Sequence, residues 1–242
     1  MKNIIINIIL FFSIVSCGKK TENENMAESN KDEQIEIFWD WFVKNEKRFS
    51  KIETNKDEVL KEILDNSSSI ESALAFEIKS NKNGILSLTI SADGVKNLIQ
   101  IVQNIKEKSP KIKGWKFIAF RQRKDAALLA EIFYESKKLR LNLTKMKFFP
   151  IIENDRLELI IYTSGINKRN YQQIFYGGSV LLDNLVGEYS FMTKVDNYDF
   201  HNMPTKAEEL NELKPLLELP SFIDNFKPKK DKKCYLPAAT ID

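Results

Sequence analysis

LAFEIKSNKNGILSLTISADGVKNLIQIVQNIKEKSPKIKGWKFIAF, running from Leu74 to Phe120, changes its hydrophobic period twice. Leu74 to Ile78 and Ile85 to Ser91 alternate apolar and polar side chains, the period-2 signature of strands. The polar cluster Lys79 to Gly84 joins them as a turn. After Asp93-Gly94 the period lengthens, and Val95, Leu98, Ile99, Val102 and Ile105 fall on one face of a helix reaching about Lys108. Pro110 and Gly114 break that helix, and Trp115 to Phe120 reads again as a strand. The predicted order is β-β-α-β.

The same order recurs further along. Met146 to Ile152 and Arg156 to Thr163 flank a turn at Asn154-Asp155, a helix follows from about Lys168 to Val186, and a strand is expected from Tyr189 to Val195. Two such halves, about 74–120 and 146–200, point to an internal structural duplication. Gly177-Gly178 within the second helix costs roughly 1 kcal/mol per residue against Ala, which implies close backbone packing or a kink. A hairpin is expected between the halves, Leu129 to Glu135 with Lys138 to Leu143. Thr205 to Leu213 reads as a short helix capped by Thr205, with Glu208 completing a capping box. The expected fold class is α+β, a largely antiparallel sheet from two β-β-α-β halves with helices mainly on one face.

Working back toward the N-terminus, Ile35, Phe38, Trp41, Phe42 and Phe49 share a helical face that Trp39 and Val43 widen. A second helix is predicted from Lys56 to Asp65, with Asn55 as its N-cap. Gly18 to Gln34 has no aromatic residue and no apolar period, so it reads as a disordered tether. Before it, Lys2 and a mostly apolar run from Ile4 to Val15 are too short for a spanning helix, which needs about 20 residues, and match a signal-peptide core. The run ends in Ile14-Val15-Ser16-Cys17, which resembles the lipobox of bacterial lipoproteins. That resemblance implies cleavage after residue 16, acylation of Cys17, and a membrane partner reached through the acyl chains. Gly18 after the cysteine then favours the outer membrane of a cell envelope. The implied division is 1–16 signal peptide, 17–34 lipidated cysteine and tether, 35–226 a single α+β domain, and 227–242 a lysine-rich tail. FWDWF (Phe38 to Phe42), ISADG (Ile90 to Gly94), GWKFIAFR (Gly114 to Arg121) and DNLVGEY (Asp183 to Tyr189) together resemble an uncharacterised bacterial domain family over about residues 35–200, which implies a domain boundary and no active residues.

Composition narrows the function classes. The 242 residues are 43% hydrophobic and 29% charged, a balance of folded, water-soluble chains. Lys plus Arg (37) against Asp plus Glu (34) leaves +3, too slight and dispersed for a nucleic-acid partner. A single histidine, His201, rules out a histidine-pair metal site, and it reads as a surface or packing residue. Cys234 sits in the lysine-rich tail, where a nucleophile would be poorly positioned. No motif implies a metal or cofactor.

What remains is a polar sheet face. If Leu74, Phe76, Ile78, Leu86, Leu88 and Ile90 point to the core, then Glu77, Ser87, Thr89 and Ser91 point away from it. Such faces are ordinarily wet, and otherwise they are covered by a ligand or partner. Arg121, Arg123 and Lys124 cluster after the third strand, where an anion could be held or a solvated loop could lie. Asp93 reads as a helix cap and alternatively as an acid/base carboxylate. The expected function is an exported, lipid-anchored, non-enzymatic binding or envelope-associated module for a protein or small ligand. The candidate face is Glu77, Ser87, Thr89, Ser91, Arg121 and Arg123. The alternative is a cofactor-independent envelope hydrolase that uses carboxylates such as Asp93 and Glu77 with Arg121.

Overall fold

The computed structural model describes residues 22–49, 52, 55–126, 129, 131–134 and 139–227. Residues 1–21, with the lipobox and Cys17, and 228–242, with Cys234, lie outside them. The chain begins with α1 (Glu22–Phe49) and α2 (Lys56–Ser67), followed by β1 (Ala75–Ser80) and β2 (Leu86–Ser91). A 3₁₀ turn at Lys96–Leu98 leads into α3 (Ile99–Glu107), and β3 (Trp115–Ala119) completes the first half. A hairpin of β4 (Glu131–Tyr134) and β5 (Leu139–Asn142) separates it from β6 (Lys147–Glu153), β7 (Arg156–Thr163), α4 (Tyr171–Val186), α5 (Glu188–Lys194) and β8 (Asn197–Asn202). The last elements are α6 (Ala207–Glu212), β9 (Lys214–Pro215) and α7 (Leu219–Asn225).

The fold is α+β. Its strands divide between two mixed sheets, with orders β1-β2-β3 and β8-β7-β6-β9, and the separate β4-β5 hairpin, instead of sharing one sheet. Each half pairs its first two strands antiparallel and returns its third strand parallel to the second. A parallel return needs a crossover of a dozen or more residues, which α3 and α4-α5 supply. The β-β-α-β order is therefore present twice.

Two cores result. In the first, Phe76, Ile78, Leu88 and Ile90 are buried with Ile35, Phe38 and Phe42 of α1, Val59 and Ile63 of α2, and Val102 and Ile105 of α3. Aromatic rings fasten α1: Trp39 lies 4.7 Å from Phe117 and Phe42 lies 5.0 Å from Trp115, both edge to face. The Trp39 indole N–H donates to the Ile105 carbonyl at 2.8 Å. Most of the described apolar arc of α1 is thus consumed inside the protein, while Ile37 and Val43 stand out in water. In the second core, Phe148, Leu157, Leu159 and Ile161 pack with Ile174, Leu181, Leu182 and Leu185 of α4 and Ile223 of α7.

Several local expectations are corrected. α1 begins at Glu22, so most of the expected tether is helical. Met26, Ala27, Glu28 and Lys31 are good helix formers. Lys108 on the body also reaches Asp32 at 3.3 Å and Glu36 at 3.0 Å. Asn55 occupies the N-cap of α2 but makes no side-chain cap bond, and its buried Oδ1 is unpartnered. Asp93 does not open the helix either. Asp93 and Gly94 both take left-handed conformations (φ 47° and 84°), which turn the chain before Lys96. The strand expected at Tyr189 to Val195 is α5, and the strand lies at Asn197–Asn202. Gly187, at φ 92°, ends α4 and lets the chain start a new helix at once, whose Phe191 is buried in the second core and Met192 in the first. α6 starts after Lys206 with no side-chain cap, so Thr205 closes no capping box. Gly178 does mark a close approach, because a Cβ there would lie 2.3 Å from the Phe200 ring.

Candidate functional site

The two halves meet at a buried charged seam. Phe120, left-handed at φ 64°, ends β3 and turns Arg121 inward. A bulky residue in that conformation costs about 1–3 kcal/mol, so the surrounding structure must hold it. It does: the Phe120 N–H donates to the Ile90 carbonyl at 2.7 Å, and the ring lies 5.3 Å from Tyr189.

Arg121 is 5% exposed and its guanidinium serves three carboxylates. Nε donates to Glu77 Oε1 at 2.7 Å, Nη2 to Asp93 Oδ1 at 2.8 Å and Nη1 to Asp183 Oδ2 at 3.0 Å. A fourth carboxylate, Glu188, is fully buried and accepts from the Ser91 hydroxyl (2.8 Å), the Ala92 N–H (2.8 Å) and the Arg121 N–H (2.7 Å). The Glu188 N–H in turn donates to the Arg121 carbonyl at 2.9 Å. Buried charge at this density persists only when it is paired and hydrogen-bonded. The first half supplies the cation and the N–H donors, and the second supplies Asp183 and Glu188.

The electrostatics separate the carboxylates. Burial alone would raise Glu77, but hydrogen bonds from Lys79 and Arg121 outweigh it and hold the carboxyl down to about 2. Asp183 moves the other way: burial, reinforced by the Glu188 charge, overcomes Arg121 and pushes it up to about 7. Lys124 is pushed down to about 8 by burial and by the neighbouring Lys79 charge. The Arg121 guanidinium is held further above its ordinary range by Glu77 and Asp93, against the effect of burial.

A cleft of about 380 Å³ opens on this seam. Asp93 and Asp183 line it together with Phe175, Phe191 and Tyr198, and Val95 and Tyr176 stand exposed where they border it. Phe175 and Tyr198 are stacked at 5.4 Å. Lys96 also borders the cleft, but its ammonium is engaged by the Val195 carbonyl at 2.6 Å and the Asp196 carbonyl at 3.3 Å.

The expected polar face is only partly assembled here. Glu77, Ser91 and Arg121 converge, whereas Thr89 is buried and the Ser87 hydroxyl donates to the Lys79 carbonyl. Ser91 is covered by the chain's own second half through Glu188, not by a partner. Arg123 turns away, donating to the Val186 carbonyl and pairing with Asp224 at 2.7 Å. Asp93 belongs to the site and caps nothing. Asp183 and Glu188 were missed by sequence reasoning. A carboxylate inside the apolar run LLDNLV, on a helix otherwise destined for the core, was the signal available for Asp183.

His201 is exposed and lies 3.1 Å from Asp199. Among the described residues, no group of three or more His, Cys, Asp or Glu side chains is disposed to hold a metal, and no helix is long and apolar enough to cross a membrane. Comparison with protein-family models, curated proteins and solved structures finds no match.

Proposed function

We propose that this protein is an exported, lipid-anchored binding module of the cell envelope, held by acyl chains on Cys17, whose ligand site is the cleft between its two halves. The observation that carries this reading is the cleft itself. Its volume of about 380 Å³ falls within the roughly 300–1,000 Å³ of small-molecule sites, and it sets a few charged groups against apolar and aromatic walls, as such sites do. Left-handed Asp93 and Phe120 flank the same seam, and strained backbone concentrates at functional sites. Lipobox acylation with the helical start at Glu22 leaves residues 18–21, about 14 Å at full extension, between the anchor and α1. The body would sit close to the membrane surface. The lysine-rich tail could add to that contact.

The test uses the full chain in detergent, as wild type and as Ser179→Phe, which fills the cleft. The small-molecule fraction of the native envelope should raise the melting temperature of the wild type and leave the variant unmoved. Equal shifts in both, or none in either, would remove the cleft as a ligand site. Radiolabelled fatty acid should enter the wild type and not Cys17→Ser, and equal labelling would remove the anchor.

One observation favours a second reading, carboxylate hydrolysis. Asp183, pushed up to about 7, shares the cleft with Asp93, and paired groups of this kind divide acid and base roles. One guanidinium bridges them, which keeps them inside the upper separation of roughly 9.5 Å for paired-acid hydrolases. Glu77, held at about 2, has no proton to give at neutral pH and does not line the cleft. Turnover of an ester or glycoside panel that disappears in Asp183→Asn would establish this reading, and no turnover would end it.

A further inference from the structure

We propose that the cleft takes a small organic cation, an ammonium carried on an aromatic or apolar body, with Asp93 and Asp183 receiving the charge and Phe175, Phe191 and Tyr198 the body. The inference rests on the cleft being the ligand site, and it adds the chemistry of the ligand.

Charge accounting at the seam leads there. Glu77 has Lys79 as well as Arg121. Glu188 is solvated by three neutral donors. Asp93 and Asp183, the two carboxylates that line the cleft, each receive one bond from a guanidinium already shared with Glu77. The nearest other ammonium groups keep their charge but donate elsewhere, Lys96 to the Val195 and Asp196 carbonyls and Lys124 to the Asn184 side chain. Asp93 and Asp183 therefore share a single directly bonded cation, Arg121, which leaves them room to receive a second.

A metal ion is a poor candidate for that second cation, because the carboxylates are spread around a guanidinium and not around an open coordination centre. The walls argue for an organic cation. Aromatic and apolar walls bury the body of a small molecule while a few polar groups fix its orientation, and a bare metal ion makes no use of such walls. The exposed Val95 and Tyr176 extend apolar surface out of the cleft.

Binding of a cation favours ionised Asp183, so affinity should rise with pH. The charged or titratable groups around Asp183 are Arg121 and Glu77 from the first sheet, Lys124 from the segment after β3, Asp93 and Lys96 from the turn before α3, and Tyr176, Glu188, Asp196 and Tyr198 from the second half.

The experiment is NMR titration of the full chain in detergent with 2-phenylethylamine, its neutral counterpart 2-phenylethanol and the anion phenylacetate, at about pH 8 and about pH 5.5. The amine should shift cleft resonances and bind at least tenfold more tightly than the alcohol at the higher pH. It should lose at least fivefold at the lower pH, and phenylacetate should not bind. Equal binding of amine and alcohol, or preference for the anion, would overturn the cation inference while leaving the cleft as a ligand site. No cleft shifts with any probe would overturn the inference; the envelope-fraction experiment then decides separately whether the cleft binds anything. Val95→Lys adds a charge beside the cleft without touching the buried network, and it should weaken the amine at least threefold while sparing the alcohol. An unchanged amine affinity would count against the proposal.

Discussion

The two β-β-α-β halves share strand order and pairing sense, yet they close differently. In the first half a nine-residue helix, α3, presents a single buried face and returns the chain to β3 through the Lys108–Gly114 connection. In the second, the sixteen-residue α4 carries Gly178 against Phe200, breaks at Gly187 and continues at once as α5. That break places Glu188 where it reaches the end of β2 and the backbone of Arg121. The difference teaches that repetition built the two sheets, while the departure from repetition built the seam. The first half brings a guanidinium already paired with Glu77 and Asp93, together with N–H donors, and the second brings Asp183 and Glu188, two buried carboxylates that depend on those donors.

The largest effect should come from splitting that complementarity. Glu188→Ala leaves the Ser91 hydroxyl and two backbone N–H groups without their acceptor, and removing one partner of a buried charged network costs about 3–5 kcal/mol. Urea unfolding checks this, and a loss under about 1 kcal/mol would show that the halves do not depend on the seam.

Next comes pH. Asp183 titrates at about 7 in the folded protein against an ordinary 3.8, so the folded state holds a proton that the unfolded state has released. Its contribution therefore falls as pH rises from about 4 to about 7, by up to about 1.4 kcal/mol per unit. Glu77, at about 2 against 4.5, contributes above pH 4.5 and loses that contribution as the solution is acidified toward 2. From these two groups thermal stability should therefore peak near about pH 4 and decline from there to about pH 7, and Asp183→Asn should flatten that decline. An unaltered profile in the variant would reassign the decline to another group.

Gly178→Ala sharpens the contrast between the crossovers, since its Cβ would meet the Phe200 ring. Overpacking of this kind costs about 1–3 kcal/mol, readable as a lower melting temperature. The smallest effect belongs to α1. Ile37, 53% exposed, tolerates change to Ser within about 0.5 kcal/mol by the same measurement.

The halves themselves were legible because hydrophobic period survives without a known relative. β7 matches its expected bounds, and β1, β2, β3 and β6 lie within a residue or two of theirs. The misplacement of β8 has a physical cause: Tyr189, Phe191, Thr193 and Val195 alternate well enough for a strand, and only tertiary packing, with Phe191 in the second core and Met192 in the first, selects the helix. The site was half legible. Glu77, Ser91 and Arg121 follow from strand alternation and position, but Asp93 resembled a cap because local sequence does not reveal a partner 28 residues away. Glu188 depended on the break at Gly187, a tertiary event with no local signature.

Carbon-13 carboxyl NMR of the full chain, followed from about pH 3 to 9, tests most directly whether the cleft carboxylates have room for a second cation. The account predicts a midpoint for Asp183 at about 7 that falls by a unit or more when 2-phenylethylamine occupies the cleft. A midpoint near 4, indifferent to the amine, would contradict it.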